Sequence, residues 1–260
     1  MPLTTAQKKV VEDKSRFKVL ITGRRFGKTH LAIRQLIKYA SVPKRKVWFV
    51  CPTYRQAKQV CWSSLKERLK DLNWIKKTNE SDLSIILING STIALRGADR
   101  SYDSLRGVGL DFLVMDEFAD IPSQAWFEVL RPTLSDRKGD VLFCGTPRGF
   151  GNYAYDLYCK GNEDKDWSAF QFTTLDGGQV DDNEVEQAKN DLDERTFRQE
   201  YLATFETYSG AIYYNFDREL NVISLKDNNT AIHIGMDFNI DPMSAAIFQL
   251  QNNTVNFIDE

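Results

Sequence analysis

Apolar positions in the first 72 residues follow two alternating patterns. Residues 18–22 and 47–51 are short, almost uninterrupted apolar runs, which are typical of strands buried on both faces of a sheet. Residues 33–40 and 54–72 carry apolar side chains three or four positions apart, which predicts amphipathic helices. The order strand, helix, strand, helix predicts an α/β fold with a parallel sheet covered by helices.

The middle of the chain carries four more runs of strand-forming residues. Residues 84–88 and 91–95 flank Asn89 and Gly90, and this pair predicts a hairpin because both residues tolerate positive φ. Residues 112–115 and 141–144 are apolar and predict two further buried strands.

The last third of the chain has a different pattern. Residues 183–205 place aromatic and aliphatic side chains on one face and predict one or two amphipathic helices. Residues 206–230 are predicted to be a connector. Residues 233–236 and 255–258 predict the first two strands of another domain, of which the chain is expected to contain only a part.

Composition narrows the class of protein. No apolar run approaches the roughly 18–20 residues of a membrane span, and the polar N-terminus lacks the apolar core of a signal peptide. The 4 cysteines lack the spacing of a zinc site or a disulfide framework, and there are only 2 histidines. The expectation is a protein of a reducing cytosol without a membrane segment.

Charge is distributed unevenly along the chain. Residues 1–77 carry 20 Lys and Arg against 4 Asp and Glu, a net charge of +16, and residues 78–260 carry −18. This asymmetry favours a polyanion near the N-terminal part, either nucleotide phosphates or nucleic acid. The alternative is that basic helices pair with the acidic remainder.

The segment TGRRFGKTH, residues 22–30, is similar to a phosphate-binding loop. The usual pattern is G-x-x-x-x-G-K-[ST], and Thr22 stands at the position of its first glycine. We interpret the segment as a variant loop in which Gly23 supplies the freedom of the turn. Its backbone N–H groups would bind phosphates, Lys28 would reach the β and γ oxygens, and Thr29 would hold Mg²⁺. The alternative is a chance GKT in a basic segment.

An acidic pair follows the predicted strand at residues 112–115. Asp116 would hold Mg²⁺ and Glu117 would orient and polarise the attacking water. Alone, the pair would also fit a solvated acidic turn. A phosphate loop followed by such a pair in one chain favours a nucleotide hydrolase.

Arginines commonly neutralise the charge that develops during phosphoryl transfer. Arg24 and Arg25 lie inside the loop, and Arg106 lies in a glycine-flanked segment eleven residues before Glu117. The residues alone leave open which of them has this role, and each would also fit a surface charge.

Taken together, these segments resemble the large terminase subunit of tailed bacteriophages, an ATPase that packages DNA into procapsids. The resemblance implies a P-loop NTPase fold of the ASCE type, with a mostly parallel sheet flanked by helices. It further implies an ATPase core at residues 1–175, a helical linker or lid at 176–228, and the start of an RNase H-like nuclease at 229–260. The stretches that carry it are residues 23–29, 50–54, 105–107, 114–117, 144–147 and 197–205.

The resemblance also implies roles for single residues. Gln7 matches a glutamine that such proteins place against adenine, although by itself it would fit a surface residue. Arg24 matches a loop arginine that acts in cis, and Arg106 matches one that reaches into the next subunit's site. Thr146 belongs to a motif that senses the γ-phosphate, where Cys144 replaces an expected Ser or Thr.

The predicted sites are therefore as follows. The catalytic residues are Glu117, Lys28, Arg24 and Arg106, and the nucleotide-binding residues are Gln7, Gly23, Arg24, Arg25, Phe26, Gly27, Lys28, Thr29 and Thr146. The Mg²⁺ ligands are Thr29 and Asp116. Asp237 is similar to the first carboxylate of a nuclease metal site. Two-metal cleavage needs several carboxylates, so this chain is not expected to cut DNA.

The leading hypothesis is a motor ATPase that uses ATP and Mg²⁺ to move double-stranded DNA into a procapsid. The resemblance implies a homo-oligomeric ring when assembled, a monomer in isolation, and the portal protein and small terminase subunit as partners. It implies the host bacterial cytoplasm as location, transiently at the procapsid vertex. One alternative is a helicase-like translocase, which would need a second core. The other is a nucleotide-gated DNA-binding assembly protein without turnover, in which Glu117 would have no use.

Overall fold

The computed structural model describes residues 2–99, 102–206, 231–237, 244–251 and 254–259. The chain divides into two compact units, Met1–Ala211 and Ile212–Glu260. Within the described ranges, no helix has the length and apolar character needed to cross a membrane. The domain boundaries expected at residues 175 and 228 stay predictions.

The first unit is built on an eight-stranded sheet. The strands are β1 (Phe17–Thr22), β2 (Lys46–Cys51), β3 (Ile75–Asn79), β4 (Ser84–Leu87), β5 (Thr92–Gly97), β6 (Phe112–Asp116), β7 (Asp140–Gly145) and β8 (Trp167–Phe172). Their order is β3-β4-β5-β2-β6-β7-β1-β8. The five neighbour pairs from β5 to β8 are parallel, and the pairs β3–β4 and β4–β5 are antiparallel.

Helices cover this sheet. The α-helices are α1 (Thr5–Glu12), α2 (Lys28–Ala40), α3 (Tyr54–Ala57), α4 (Ser63–Asp71), α5 (Arg131–Thr133), α6 (Tyr153–Glu163), α7 (Asp182–Asp191) and α8 (Glu194–Leu202). A π-helical stretch, Lys58–Trp62, joins α3 to α4, and another, Ala125–Leu130, leads into α5.

The apolar run of β1 is uninterrupted because both of its faces are buried. Leu20 belongs to one apolar cluster, together with Leu36 of α2 and Leu65 of α4. Val19, by contrast, belongs to the cluster on the other face, together with Trp126. Two packed faces are typical of parallel sheets, whose strands lack the alternation of half-exposed ones.

The strands and helices predicted from periodicity are confirmed. The hairpin at Asn89 and Gly90 joins β4 and β5, with Ile85 opposite Ile93. The segment at residues 183–205 forms two helices, α7 and α8. Five of the labelled helices and strands of the first unit lie outside the predictions: α1, β3, α5, α6 and β8.

The second unit contains a three-stranded antiparallel sheet. Its strands are Ile232–Asp237 (β9), Ser244–Gln251 (β10) and Thr254–Asp259 (β11), and their order is β11-β10-β9. The two predicted strands are β9 and β11, and the unpredicted β10 lies between them. The assignment to an RNase H-like domain stays a prediction. The side chain of Asp237, predicted as a nuclease metal ligand, lies outside the described part of the structure.

Candidate nucleotide-binding and hydrolysis site

The loop between β1 and α2 has the backbone of a phosphate-binding loop. Arg25 and Gly27 have positive φ, at 59° and 93°, and Gly27 is the N-cap of α2. Lys28 and Thr29 are the first two residues of that helix, where backbone N–H groups and the helix dipole favour an anion. The predicted loop residues therefore surround one helix N-terminus.

Gly23, one position after the usual glycine position, lies close to two neighbouring segments. A Cβ on Gly23 would lie 2.5 Å from the backbone oxygen of Tyr201 and 2.5 Å from Oγ1 of Thr174. The Gly23 N–H also donates to the Phe172 carbonyl at 3.0 Å. Gly23 is absent from the residues with positive φ, so the expectation that it supplies turn freedom is wrong. Close packing against neighbouring segments requires the glycine instead.

Glu117 connects the loop to the end of β7. The Nζ of Lys28 lies 3.6 Å from Oε1 of Glu117. Thr146 donates to Oε2 of the same carboxylate from its hydroxyl at 3.2 Å and from its backbone N–H at 3.4 Å. Lys28 at the start of α2 thus lies together with the residues that follow β6 and β7, Glu117 and Thr146.

The backbone of Glu117 is itself unusual. Its φ of 48° and ψ of 45° lie in the left-handed region, which costs a non-glycine residue about 1 kcal/mol or more. The turn separates the two carboxylates of the acidic pair, so that Asp116 stays in the strand while Glu117 points at the loop lysine. Strained residues of this kind are frequent at functional sites.

Asp116 is buried at the end of β6, next to two thiols. The Sγ of Cys144 lies 3.3 Å from its Oδ1, and the Sγ of Cys51 lies 3.9 Å from its Oδ2. Burial, and then the charge of Glu117, raise the pKa of Asp116 to about 6. Burial also raises the pKa of both thiols, which therefore stay protonated and donate to the carboxylate.

The residues present fit a magnesium site of the kind completed by phosphate oxygens. Asp116 and Thr29 offer hard oxygen donors, and Mg²⁺ is commonly bound by one or two protein groups plus phosphates. In the described part of the chain, no group of three or more His, Cys, Asp or Glu side chains could hold a metal ion by itself.

Arg24 contacts α8. Its Nε donates to Oε2 of Glu200 in an ion pair, and its backbone N–H donates to the Glu200 carbonyl at 2.7 Å. The Thr174 hydroxyl donates to the Arg24 carbonyl at 2.8 Å. Arg25, the other loop arginine, is exposed.

Arg106 follows a short 3-10 helix, Tyr102–Leu105, and is about half exposed. Its Nε lies 2.7 Å from Oδ1 of Asp103, and its Nη1 lies 3.5 Å from the Glu128 carbonyl. These contacts are with its own loop and with the π-helical stretch beside it rather than with the phosphate loop. The position leaves the guanidinium accessible from outside the chain.

Gln7 lies against the phosphate loop. Its Nε2 donates to the Phe26 carbonyl at 3.0 Å, and its Oε1 accepts the Thr4 N–H at 3.2 Å. Phe26 is fully buried and stacks on Phe172 with ring centroids 5.5 Å apart. Gln7 is therefore close to the predicted site, but it is a buried residue and its carboxamide is engaged within the protein.

Several contributing residues were not predicted from the sequence. Glu200 and Thr174 hold Arg24, and Arg148 forms a two-bond ion pair with Asp120 close to the acidic pair. The sequence could have indicated Arg148, because it follows the predicted site residue Thr146 by two positions. No sequence pattern indicated Glu200 or Thr174, since their segments reach the loop only through tertiary packing.

Known proteins are similar to this chain in sequence and in architecture. Residues 19–220 match the profile of the family described as "Terminase large subunit, T4likevirus-type, N-terminal". The terminase large subunit of Escherichia phage T5 is 33% identical over 220 residues, which are 83% of this chain and 50% of that protein. The chain spans about half the length of the curated relatives it matches.

Two solved structures have a similar fold. The large terminase ATPase domain of Thermus phage P74-26 has a TM-score of 0.69 at 25% identity, over 79% of this chain and 94% of that one. The large terminase of another thermophilic bacteriophage, in complex with ADP, has a TM-score of 0.70 at 18% identity, over 98% of this chain and 68% of that one. The predicted α/β fold with a mostly parallel sheet is confirmed.

Proposed function

This chain belongs to the family of phage terminase large subunits, and from that premise we propose that it is the ATP-hydrolysing part of a DNA-packaging motor. The observation that carries the proposal is the position of Glu117. Its carboxylate contacts both the loop lysine, Lys28, and the residue after β7, Thr146. A binding protein without turnover has no need for a second carboxylate held at that point.

The chain's own residues supply the chemistry of ATP hydrolysis. The loop N–H groups and Lys28 bind the phosphates, and Glu117 accepts the proton of the water that attacks the γ-phosphorus. The bond between the γ-phosphorus and the bridging oxygen breaks, and ADP and phosphate leave. Thr29 and Asp116 would hold Mg²⁺, which offsets phosphate charge when bound.

Thr146 gives the site a connection to the rest of the sheet. Its two hydrogen bonds orient one oxygen of Glu117, while Lys28 pairs with the other. A γ-phosphate competes with Glu117 for Lys28, because both are anions within reach of the same ammonium group. Binding of ATP is therefore expected to alter the bonds of Thr146 as well.

A single assay tests the catalytic assignment. We expect Glu117→Gln to lower the Mg²⁺-dependent rate of ATP hydrolysis by about 10²- to 10⁴-fold, because glutamine keeps the shape but cannot accept the proton. Glu67→Gln, on the exposed face of α4, is the matched control and should keep the original rate. Equal rates for the original chain and Glu117→Gln would contradict the assignment of Glu117 as the group that accepts the proton.

Double-stranded DNA is the proposed substrate of the motor, with the portal protein, the small terminase subunit and further copies of this chain as partners. The family membership and the net charge of +16 on residues 1–77 support this part of the proposal. Contacts with the phosphate backbone suit a motor that must move any sequence. We expect duplexes of unrelated sequence to bind with equal affinity, and the logarithm of the binding constant to fall linearly with the logarithm of the salt concentration. A strong preference for one DNA sequence would contradict this part of the proposal.

A further inference from the structure

Two carboxamide groups lie against the same glycine of the phosphate loop. A Cβ on Gly27 would lie 2.7 Å from Nε2 of Gln7 and 2.7 Å from Nε2 of Gln179. The two glutamines come from segments far apart in the sequence. Gln7 belongs to α1, and Gln179 follows the 3-10 turn Leu175–Gly177.

The segment that carries Gln179 is fitted closely to the loop. Gly177 has no room for a Cβ, which would lie 2.5 Å from Cα of Phe26. Gly178 has a φ of 63°, and a Cβ there would lie 3.5 Å from the methyl group of Thr4 at the start of α1. Two successive glycines thus place Gln179 where the loop and the first helix meet.

The two carboxamides differ in what they can still bind. Gln7 is buried, and both ends of its carboxamide are used, by the Phe26 carbonyl and the Thr4 N–H. Gln179 is exposed, and no hydrogen bond of its carboxamide is found among the described residues. The donor and the acceptor of Gln179 are therefore both available to a bound molecule.

We propose that Gln179 reads the adenine base of the bound nucleotide and that Gln7 holds the loop in place beside it. A carboxamide offers one donor and one acceptor side by side, which match N7 and the 6-amino group of adenine. Guanine presents two acceptors at the same edge, N7 and O6, and matches only the donor. This assignment rests on the proposed function, because it requires a nucleotide in the phosphate loop.

The proposal separates the roles of the two glutamines. Gln7 is a positioning residue, since its contacts are with the N-cap of α1 and the loop carbonyl. Gln179 is the specificity residue, since its carboxamide is exposed at the loop. Loss of Gln179 is expected to affect the choice between bases and to leave the fold intact.

The test is competitive displacement of a fluorescent ADP analogue from the full 260-residue chain by ADP and by GDP. For Gln179→Ala, we expect the ADP dissociation constant to rise about three- to tenfold while that for GDP changes less than about twofold. Gln179→Glu keeps an acceptor but loses the donor, and should also lose preference for ADP. Gln187→Ala, on the exposed side of α7, is the matched control and should behave as the original chain.

The outcomes are distinguishable. An unchanged ADP-to-GDP ratio in Gln179→Ala overturns the proposal, as does an equal loss of both nucleotides, which would indicate a phosphate or loop contact. An original chain that binds both nucleotides equally also overturns it and leaves the proposed function intact. If neither nucleotide displaces the analogue from the original chain, the proposed function fails as well. Thermal unfolding of each variant checks that the fold is retained.

Discussion

Arg24 and Glu200 form an ion pair across 176 positions of the sequence. Burial opposes the ionisation of Glu200, but hydrogen bonds from Arg24 and Gln199 outweigh it and lower the pKa of that carboxyl below its ordinary value. The arginine predicted to stabilise the γ-phosphate is thus held by a carboxylate of α8. A phosphate must compete with Glu200 for the same guanidinium.

Removal of Glu200 should therefore increase the affinity for ATP. We expect Glu200→Ala to lower the ATP dissociation constant about three- to tenfold, because Arg24 no longer has a competing anion. Isothermal titration measures the constant directly. Glu194→Ala removes an exposed carboxylate from the same helix and should leave it unchanged. Weaker binding in Glu200→Ala would show that the ion pair supports the site instead of competing with it.

The buried Asp116 makes stability depend on pH. Its pKa of about 6 lies above the ordinary value of 3.8, so between these values the folded state holds a proton that the unfolded state releases. Raising the pH from about 4 to about 6 is thus expected to lower the free energy of unfolding. The free energy of unfolding stays at this lower value at pH 7. Asp116→Asn should be more stable at pH 7 by up to about 3 kcal/mol.

Urea unfolding in magnesium-free buffer with a chelator, between about pH 4 and pH 8, measures this difference. Asp71→Asn removes an exposed carboxylate at the end of α4 and should follow the curve of the original chain. If Asp116→Asn is less stable than the original chain at pH 7, the buried carboxylate of Asp116 does not destabilise the folded state.

The glycine after β1 should be sensitive to a single methyl group. In Gly23→Ala the new Cβ meets the Tyr201 carbonyl oxygen and Thr174 at 2.5 Å, so the strand or its neighbours must move. We expect a loss of about 2 kcal/mol or more in the free energy of unfolding. Gly151→Ala has no atom within 4 Å of its Cβ and should change stability by about 0.5 kcal/mol or less. Equal effects of the two substitutions in chemical denaturation would refute the packing argument.

Arg106 is expected to raise the rate of ATP hydrolysis only when several copies of the chain assemble. An arginine that enters a neighbouring site contributes about 10³- to 10⁵-fold to the rate of phosphoryl transfer. We expect the specific ATPase rate of the original chain to rise with protein concentration, and that of Arg106→Ala to stay low and flat. Arg55→Ala, another exposed arginine, should rise as the original chain does. A rate independent of both concentration and Arg106 would leave a self-contained ATPase.

The sequence predicts those site residues whose positions depend on the strands and helices next to them in the chain. The apolar runs before Gly23 and Asp116 predict strands, and the periodicity after Lys28 predicts a helix, so the loop and the acidic pair are placed correctly. The hairpin at Asn89 and Gly90 is predicted for a similar reason, since its turn chemistry is local.

The other residues of the site are placed by contacts between segments that are distant in the sequence. β8 is only six residues long, its apolar and polar residues do not alternate regularly, and it lies at the sheet edge, so its pattern is weak. Strand order decides that β8 lies beside β1, and this in turn brings Thr174, Gln179 and Glu200 to the loop. Periodicity carries no information on strand order, and these three residues are therefore found only in the fold.

The displaced glycine also affects how such loops are recognised in other genomes. A search that demands glycine at the first position of the pattern rejects this chain at Thr22, although the loop that follows has the expected backbone. The steric demand falls on the first residue after β1, because Thr174 in the segment after β8 and Tyr201 of α8 leave no space there. For chains with an edge strand placed like β8, we expect the shorter spacing between Gly23 and Gly27-Lys28-Thr29, G-x-x-x-G-K-[ST], to be the more sensitive query.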